Sequence, residues 1–213
     1  MDSEPVVTDW RPVQIRHLAR MVNPPRLTMA PLCLAIDGRS ASGKTTLAAQ
    51  LAASMPDSVV VHTDDLAWHE PLFDWAHLLT EAVLLPARKR QPVSFTPPAW
   101  RARGREGSID IPVGTRAVIV EGVGSAHRST AGMLDAVLWV QSDAAVAEAR
   151  GLARDLESGE NGDEQATIAF WEEWIRSERR YLERDRPWER ASWLINGTPS
   201  QPPPQGSVLI GQA

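Results

Sequence analysis

The stretch Gly38-Arg39-Ser40-Ala41-Ser42-Gly43-Lys44-Thr45-Thr46 fits Gly-x-x-x-x-Gly-Lys-Thr, the Walker A pattern, and lies between an apolar run and a helical pattern. A loop of this spacing turns successive backbone N–H groups inward as an anion nest. Gly38 and Gly43 let that backbone approach phosphate where a Cβ would collide. Ser40, Ala41, Ser42, Gly43 and Thr46 complete the cradle, Lys44 brings a point charge to the β/γ-phosphates, and the Thr45 hydroxyl is a Mg²⁺ ligand. Leu32-Cys33-Leu34-Ala35-Ile36 reads as a short buried strand entering the loop, and Leu47, Leu51 and Ala52 recur at helical spacing after it. The helix N-terminus then points its partial positive charge at the bound phosphates. A chance match in a Gly/Ser-rich turn is the competing reading, and the flanking elements weigh against it.

At 213 residues the chain is long enough for one domain with a sizeable core. A formal charge of −5 argues against a protein built to coat nucleic acid or an anionic membrane, since both need a basic surface. The single cysteine, Cys33, falls inside the first strand of this reading, so no disulfide framework or Cys-rich metal site can be built. Asp2 and Glu4 open the chain without a basic-then-apolar sequence, and no apolar stretch reaches transmembrane length, so the expected compartment is the cytoplasm.

Upstream of the loop, Ile15, Leu18, Ala19 and Val22 share one helical face, with Thr8 or Asp9 as a cap and Asn23-Pro24-Pro25 as the stop. That makes residues 1–30 an N-terminal helical extension, packed beside the sheet or used as an oligomer contact. Downstream, Val59-Val60-Val61 ends in His62-Thr63-Asp64-Asp65. In a parallel sheet, ligands bind beyond the carboxyl ends of the strands, which favours chemistry for Asp64 and leaves Asp65 open as a helix cap. Leu72, Trp75, Ala76, Leu79 and Val83 mark an amphipathic face closed by Pro86, with Asp74 near its start as a cap or an acceptor-side group. Arg88-Lys89-Arg90 follows, a triplet more often a solvated helix end than a binding site. Residues 88–112, broken by Pro97, Pro98, Gly104 and Gly107, read as an inserted hairpin or flap.

Ala117-Val118-Ile119-Val120 is the clearest interior strand, and it ends in Glu121-Gly122, where a carboxylate beside the loop would hold Mg²⁺. Ala136–Val140 reads as a fourth strand. Asp143 to Leu156 is a helical pattern with Arg150 and Arg154 on one face; these close over transferring phosphates or pair with Asp155 or Glu157, and spacing alone favours the pairing. Ala166, Ile168, Trp171, Ile175 and Leu182 mark a long helix read as structural. Ser192–Ile195 reads as a fifth strand whose following turn, Asn196-Gly197-Thr198-Pro199, could cradle a purine, and Val208–Ile210 as an edge strand.

Taken together and in this order, the loop, Thr63-Asp64-Asp65, Glu121-Gly122 and Arg150/Arg154 resemble the uridine kinase-like group of P-loop kinases, which includes a pantothenate kinase branch. The resemblance covers roughly Leu32 to Pro199. It implies an α/β fold, the P-loop NTPase three-layer sandwich: a parallel central sheet of about five strands, helices on both faces, and a lid over about 143–165 within a kinase domain spanning 31–213. It implies that Asp64 is the base taking the acceptor proton, that Glu121 holds Mg²⁺, and that Asp74, next to Phe73, holds acceptor hydroxyls. The pattern Arg-x-x-x-Arg-Asp of the lid matches Arg150 to Asp155.

The acceptor side departs from the group. Its Tyr-Asp motif, with a later His and Arg, corresponds here to Phe95-Thr96-Pro97-Pro98-Ala99-Trp100-Arg101, without the Asp or the His. Further lid arginines are replaced by Glu157, Gly159 and Glu160. Trp68, Trp75 and Trp100, if they face the cleft, favour a flatter or more apolar acceptor than uridine; as packing groups they carry no such information. The expectation is an ATP- and Mg²⁺-dependent phosphotransferase acting on a hydroxyl of a small molecule, with Lys44, Asp64, Arg150 and Arg154 as catalytic residues. The metal would lie among Thr45, Glu121 and Asp64, the nucleotide on the loop and on Gly197 and Thr198, and the acceptor near Asp74, Trp68, Phe95 and Trp100. Rival readings are a nucleotide-binding switch without transfer, or a kinase of a nucleoside monophosphate or a natural product.

Overall fold

The run Leu32–Gly38 is buried along its whole length, and a strand with no polar face must be covered on both sides. The computed structural model describes residues 4–24 and 30–211. The strands in chain order are β1 (Arg11–Gln14), β2 (Leu32–Gly38), β3 (Ser58–His62), β4 (Val93–Phe95), β5 (Ile109–Ile111), β6 (Ala117–Glu121), β7 (Ala136–Gln141), β8 (Trp193–Asn196) and β9 (Ser207–Gly211). The main sheet has the order β1-β9-β8-β7-β2-β6-β3. Within it β8, β7, β2, β6 and β3 run parallel, while β9 and then β1 are added antiparallel beyond β8, so that Val208–Ile210, expected as an edge strand, is covered by β1, which takes the edge. The five parallel strands are the apolar runs of the sequence, and they place β2 at the centre of the parallel set.

Side chains alternate across β2, and so do the two cores. Leu32, Leu34 and Ile36 meet α1 (Ile15–Val22) and α2 (Lys44–Ser54) through Ile15, Leu18, Leu47 and Leu51. On the other face Cys33 joins Val118 and Val120 of β6 against Leu79, Val83 and Leu84. Each fully buried Leu or Ile here contributes about 1.5–3 kcal/mol by removal of apolar surface from water. Helices thus cover both faces of the sheet, the three-layer α/β arrangement expected from the sequence.

Local boundaries differ from the sequence reading in three places. The first helix starts at Ile15, not after Thr8 or Asp9: Asp9 pairs instead with Arg11 at 2.6 Å, and residues 11–14 become β1, pinned to β9 by a Gln14–Ser207 side-chain bond of 2.6 Å. Pro25, part of the expected stop, lies outside the described residues. Pro86 does not end the helical segment 76–88, called α4 here. Its middle, Leu79–Leu84, is π-helical, and the wider turn precedes the position where proline lacks its N–H donor. Leu72 is 37% exposed and precedes that helix, so it is not on its buried face.

The inserted hairpin is present: β4 and β5 pair antiparallel, with the short α5 (Pro98–Ala102) between them. Over the carboxyl edge of the sheet lie α6 (Ala144–Ser158) and α7 (Glu164–Asp185). Asp143 and Asp163 cap them, accepting from Val146 N and Ala166 N, contacts worth about 1 kcal/mol each.

Candidate active site

The stretch Gly38–Thr46 forms the turn from β2 into α2 and the first residues of α2. Gly38 is required there by space: a Cβ would lie 2.6 Å from Val140 O and 2.9 Å from Ser42 Oγ. Ala41 and Gly43 have φ of 55° and 98°, the left-handed turns that aim consecutive N–H groups to one side. No side chain caps α2, so its first amides remain directed into that concavity. Ser42 Oγ is buried without a hydrogen-bond partner. An anionic group with several acceptor oxygens fits this set of donors.

Lys44, first residue of α2, is buried and donates to Arg39 O at 2.7 Å. Burial pushes its ammonium below the usual lysine value, while Asp37, Glu178, Glu121 and Asp64 oppose that shift by their charge. Thr45 Oγ1 donates towards both carboxylate oxygens of Glu121, at 3.2 and 3.3 Å. The strand order explains the meeting. β6 lies between β2 and β3, so Glu121 at its tip stands beside the loop on one side and His62, its register partner on β3, on the other. His62 Nδ1 lies 2.5 Å from Glu121 Oε1, and this bond raises the imidazole above its ordinary value. Gly122 is forced by contact: a Cβ there would sit 1.8 Å from Thr63 Oγ1.

Two residues beyond His62, Asp64 lies in the first turn of α3 (Thr63–Ala67). The residue is exposed to solvent on one side, while protein surrounds its carboxyl on the other. Exclusion of water raises it above the ordinary aspartate value, Glu121 adds to the rise, and Lys44, His62 and Arg154 counter it. Among the described residues no cluster of three or more His, Cys, Asp or Glu side chains forms a metal cage. A hydroxyl with one or two acids suits Mg²⁺, which keeps several waters and phosphate oxygens in its own shell.

The remaining sequence candidates divide. Gly197 abuts the loop, since a Cβ would lie 2.5 Å from Ser42 O, and Thr198 Oγ1 accepts from Asp143 N at 2.9 Å. Arg150 reaches this turn, donating to Gly197 O at 3.2 Å. Arg154 instead pairs with its neighbour Asp155 at 2.8 Å. On the acceptor side Asp74 is exposed and does not cap α4, whose N-terminus carries no side-chain cap. Trp75 is buried against Gly124, with 3.0 Å between its ring and a Cβ built there. Trp100, expected at the acceptor, is a buried packing group: its indole N–H donates to Asp65 O at 2.9 Å, and Arg105 stacks on its ring at 3.5 Å. Asp65 is not a cap either, since its carboxylate pairs with Arg105 at 2.6 Å. Phe95 is half-buried in the same core as β4 and β5. Trp68 is half-buried, with Arg105 5.2 Å from its ring centre.

Three residues of the site escape the sequence reading. Asp37, completely buried at the end of β2, accepts from Gly38 N, Gly124 N, Ala126 N and Tyr181 Oη at 2.6–3.0 Å. Glu178 accepts from Ser40 N at 2.7 Å, and burial raises its carboxyl. Glu178 and Tyr181 both belong to α7, the long helix read as structural. Their signal is an acid and a tyrosine three apart on its apolar face, and that of Asp37 is a carboxylate closing an apolar strand.

Comparison with solved structures agrees with this architecture. The chain is similar to a possible uridine kinase from Bacillus stearothermophilus, with 19% identity over 84% of this chain and 96% of that one and a TM-score of 0.56. It is also similar to a putative fructose transport system kinase from Silicibacter sp. TM1040, with 21% identity over 81% and 95% and a TM-score of 0.59. A third, the YGR205w protein, shares 12% identity over 86% and 93% with a TM-score of 0.56. The chain therefore shares the α/β fold of these proteins, a mostly parallel sheet with helices on both faces. No protein-family model and no curated protein sequence matches the chain. No helix among the described residues is long and apolar enough to cross a membrane.

Proposed function

We propose that the protein transfers the terminal phosphoryl group of ATP to a hydroxyl of a small molecule. The observation that carries this reading is the approach of Thr45 to Glu121 beside Lys44, with Asp64 in the first turn of α3, just past the neighbouring strand. The loop amides and Lys44 hold the phosphates, and Thr45 with Glu121 holds Mg²⁺, which when bound neutralises charge on the phosphate oxygens. Asp64 accepts the proton of the acceptor hydroxyl as it attacks. Its raised pKa makes it a better base than an ordinary aspartate. Glu178 and Asp37 keep the loop in shape, so positioning and charge stabilisation supply most of the rate. Arg150 and Arg154, on the lid, add positive charge when the lid closes over the nucleotide. The acceptor lies between α3 and the hairpin 88–112, which Asp65 ties together through Trp100 and Arg105.

ADP release measured with nucleosides, sugars, pantothenate-like polyols and nucleoside monophosphates tests the reading. One class is expected to stimulate release by at least about tenfold over the acceptor-free rate. Tight ATP binding with no dependence on any of them would replace the kinase reading by that of a nucleotide switch.

A further inference from the structure

At the edge of the sheet opposite the phosphate loop, where β2 and β6 begin, the surface opens into a cavity of about 1160 Å³. The length of β2 puts roughly 20 Å between this cavity and the loop, so the two are separate sites. Its walls are the ends of α1 and α4, the turn from β5 to β6, and the start of β2, with Leu32 and Ile111 as an apolar floor. Four cations line it: Arg20, Lys89, Arg90 and Arg116. Among the described residues the lining contains no Asp or Glu, and none of the four has a carboxylate partner. In a chain whose acids outnumber its Lys and Arg by 27 to 22, such a concentration of unopposed positive charge needs a reason.

The basic triplet splits in a way a solvated helix end does not require. Arg88 turns to Asp135 and Met133 O, at 3.0 and 3.1 Å, while Lys89 and Arg90 line the cavity. Arg90 closes α4 with φ of 61°, its N–H donating to Ala87 O at 2.8 Å and that of Gln91 to Pro86 O at 3.0 Å. This is the position at which a helix of this ending favours glycine. The chain thus holds an exposed arginine in a strained backbone at the rim of a cationic cavity.

We propose that this cavity binds a small molecule carrying two or more phosphate groups, its charges on Arg20, Lys89, Arg90 and Arg116 and its apolar or planar part against Leu32 and Ile111. The volume is far larger than one phosphate needs and suits a ligand of nucleotide size. A concave site on a chain of net charge −5 favours a small ligand over an extended polyanion. The site does not depend on the kinase reading, because it shares no residue with the phosphate loop.

Calorimetric titration with inorganic tripolyphosphate at low salt tests it on three proteins: wild type, Lys44→Ala, and, in the Lys44→Ala background, the double variant Arg90→Gly with Arg116→Ser. Glycine is the favoured residue at position 90, so the double variant is designed to keep the helix end, and circular dichroism checks that it does. Lys44→Ala is expected to retain a saturable site that added salt weakens, and the double variant to bind there at least about tenfold more weakly. If the double variant does not fold, Arg20→Gln with Lys89→Gln gives the same comparison. Unchanged affinity in the folded cavity variant overturns the proposal, as does loss of all binding with Lys44→Ala alone. Tighter binding of a 20-nucleotide RNA or of anionic lipid vesicles than of tripolyphosphate, lost in the same cavity variant, would overturn the assignment to a small ligand.

Discussion

Replacing Asp64 with asparagine is expected to lower kcat for phosphoryl transfer by about 10²–10⁴-fold, the range lost when a positioned general base is removed. Asparagine keeps the size and most of the polarity of the side chain, so the fold and ATP affinity should change little. The pH dependence gives a second readout. Asp64 works deprotonated, and its folded value is raised above that of an ordinary aspartate, mainly by exclusion of water and further by Glu121. Wild-type kcat/KM should therefore rise with pH through an acid limb lying above the usual aspartate range, and the variant should lose that limb. Steady-state rates across pH, with the acceptor that stimulates ADP release, provide the check. Unchanged turnover by the asparagine variant would remove Asp64 as the base.

The second large effect is on stability. Asp37→Ala removes the acceptor of three backbone N–H groups and of the Tyr181 hydroxyl, in a place that water does not reach. Leaving several buried donors unmet costs about 3–5 kcal/mol, and for a chain of this size that lowers Tm by on the order of 10 °C. Tyr181→Phe removes one bond of the same network and should cost only about 1 kcal/mol. Thermal and urea unfolding of the two variants measure the difference. Asp37→Ala with wild-type stability would mean that the carboxylate does not tie β2, the turn after β6 and α7 together.

The parallel strands were legible because burial on both faces demands continuous apolar runs, which Leu32–Ile36, Ala117–Val120 and Ala136–Val140 display openly. The glycine-rich turn from β2 into α2 was legible because its spacing is set by local backbone geometry. Glu121 and Asp64 stood out because both follow such runs, at the end of a parallel sheet where ligands collect. What stayed hidden depends on contacts distant in sequence. Nothing in α7 announces that Glu178 meets the Ser40 amide, or that Tyr181 meets Asp37 across 144 positions. Trp100 carried an ambiguous signal for the same reason. An indole suits a ligand cleft and a hairpin core equally well, and only Asp65 and Arg105, brought to it by the fold, decide for the second. The strand β1 was masked by its polar composition, since Arg11 and Gln14 suit a solvated edge as readily as the first turn of a helix.

In the proposed function nucleotide seats itself at the turn from β2 into α2, with Glu121 of β6 and Asp64, just after β3, converging there. Calorimetric titration of Mg·ATP into wild-type protein, Lys44→Ala and Glu121→Gln tests this most directly. The account predicts saturable binding to the wild type, at least about tenfold weaker binding to Lys44→Ala, and for Glu121→Gln a loss of the advantage of Mg·ATP over metal-free ATP. Equal affinity in all three proteins, or no binding to the wild type, would contradict it.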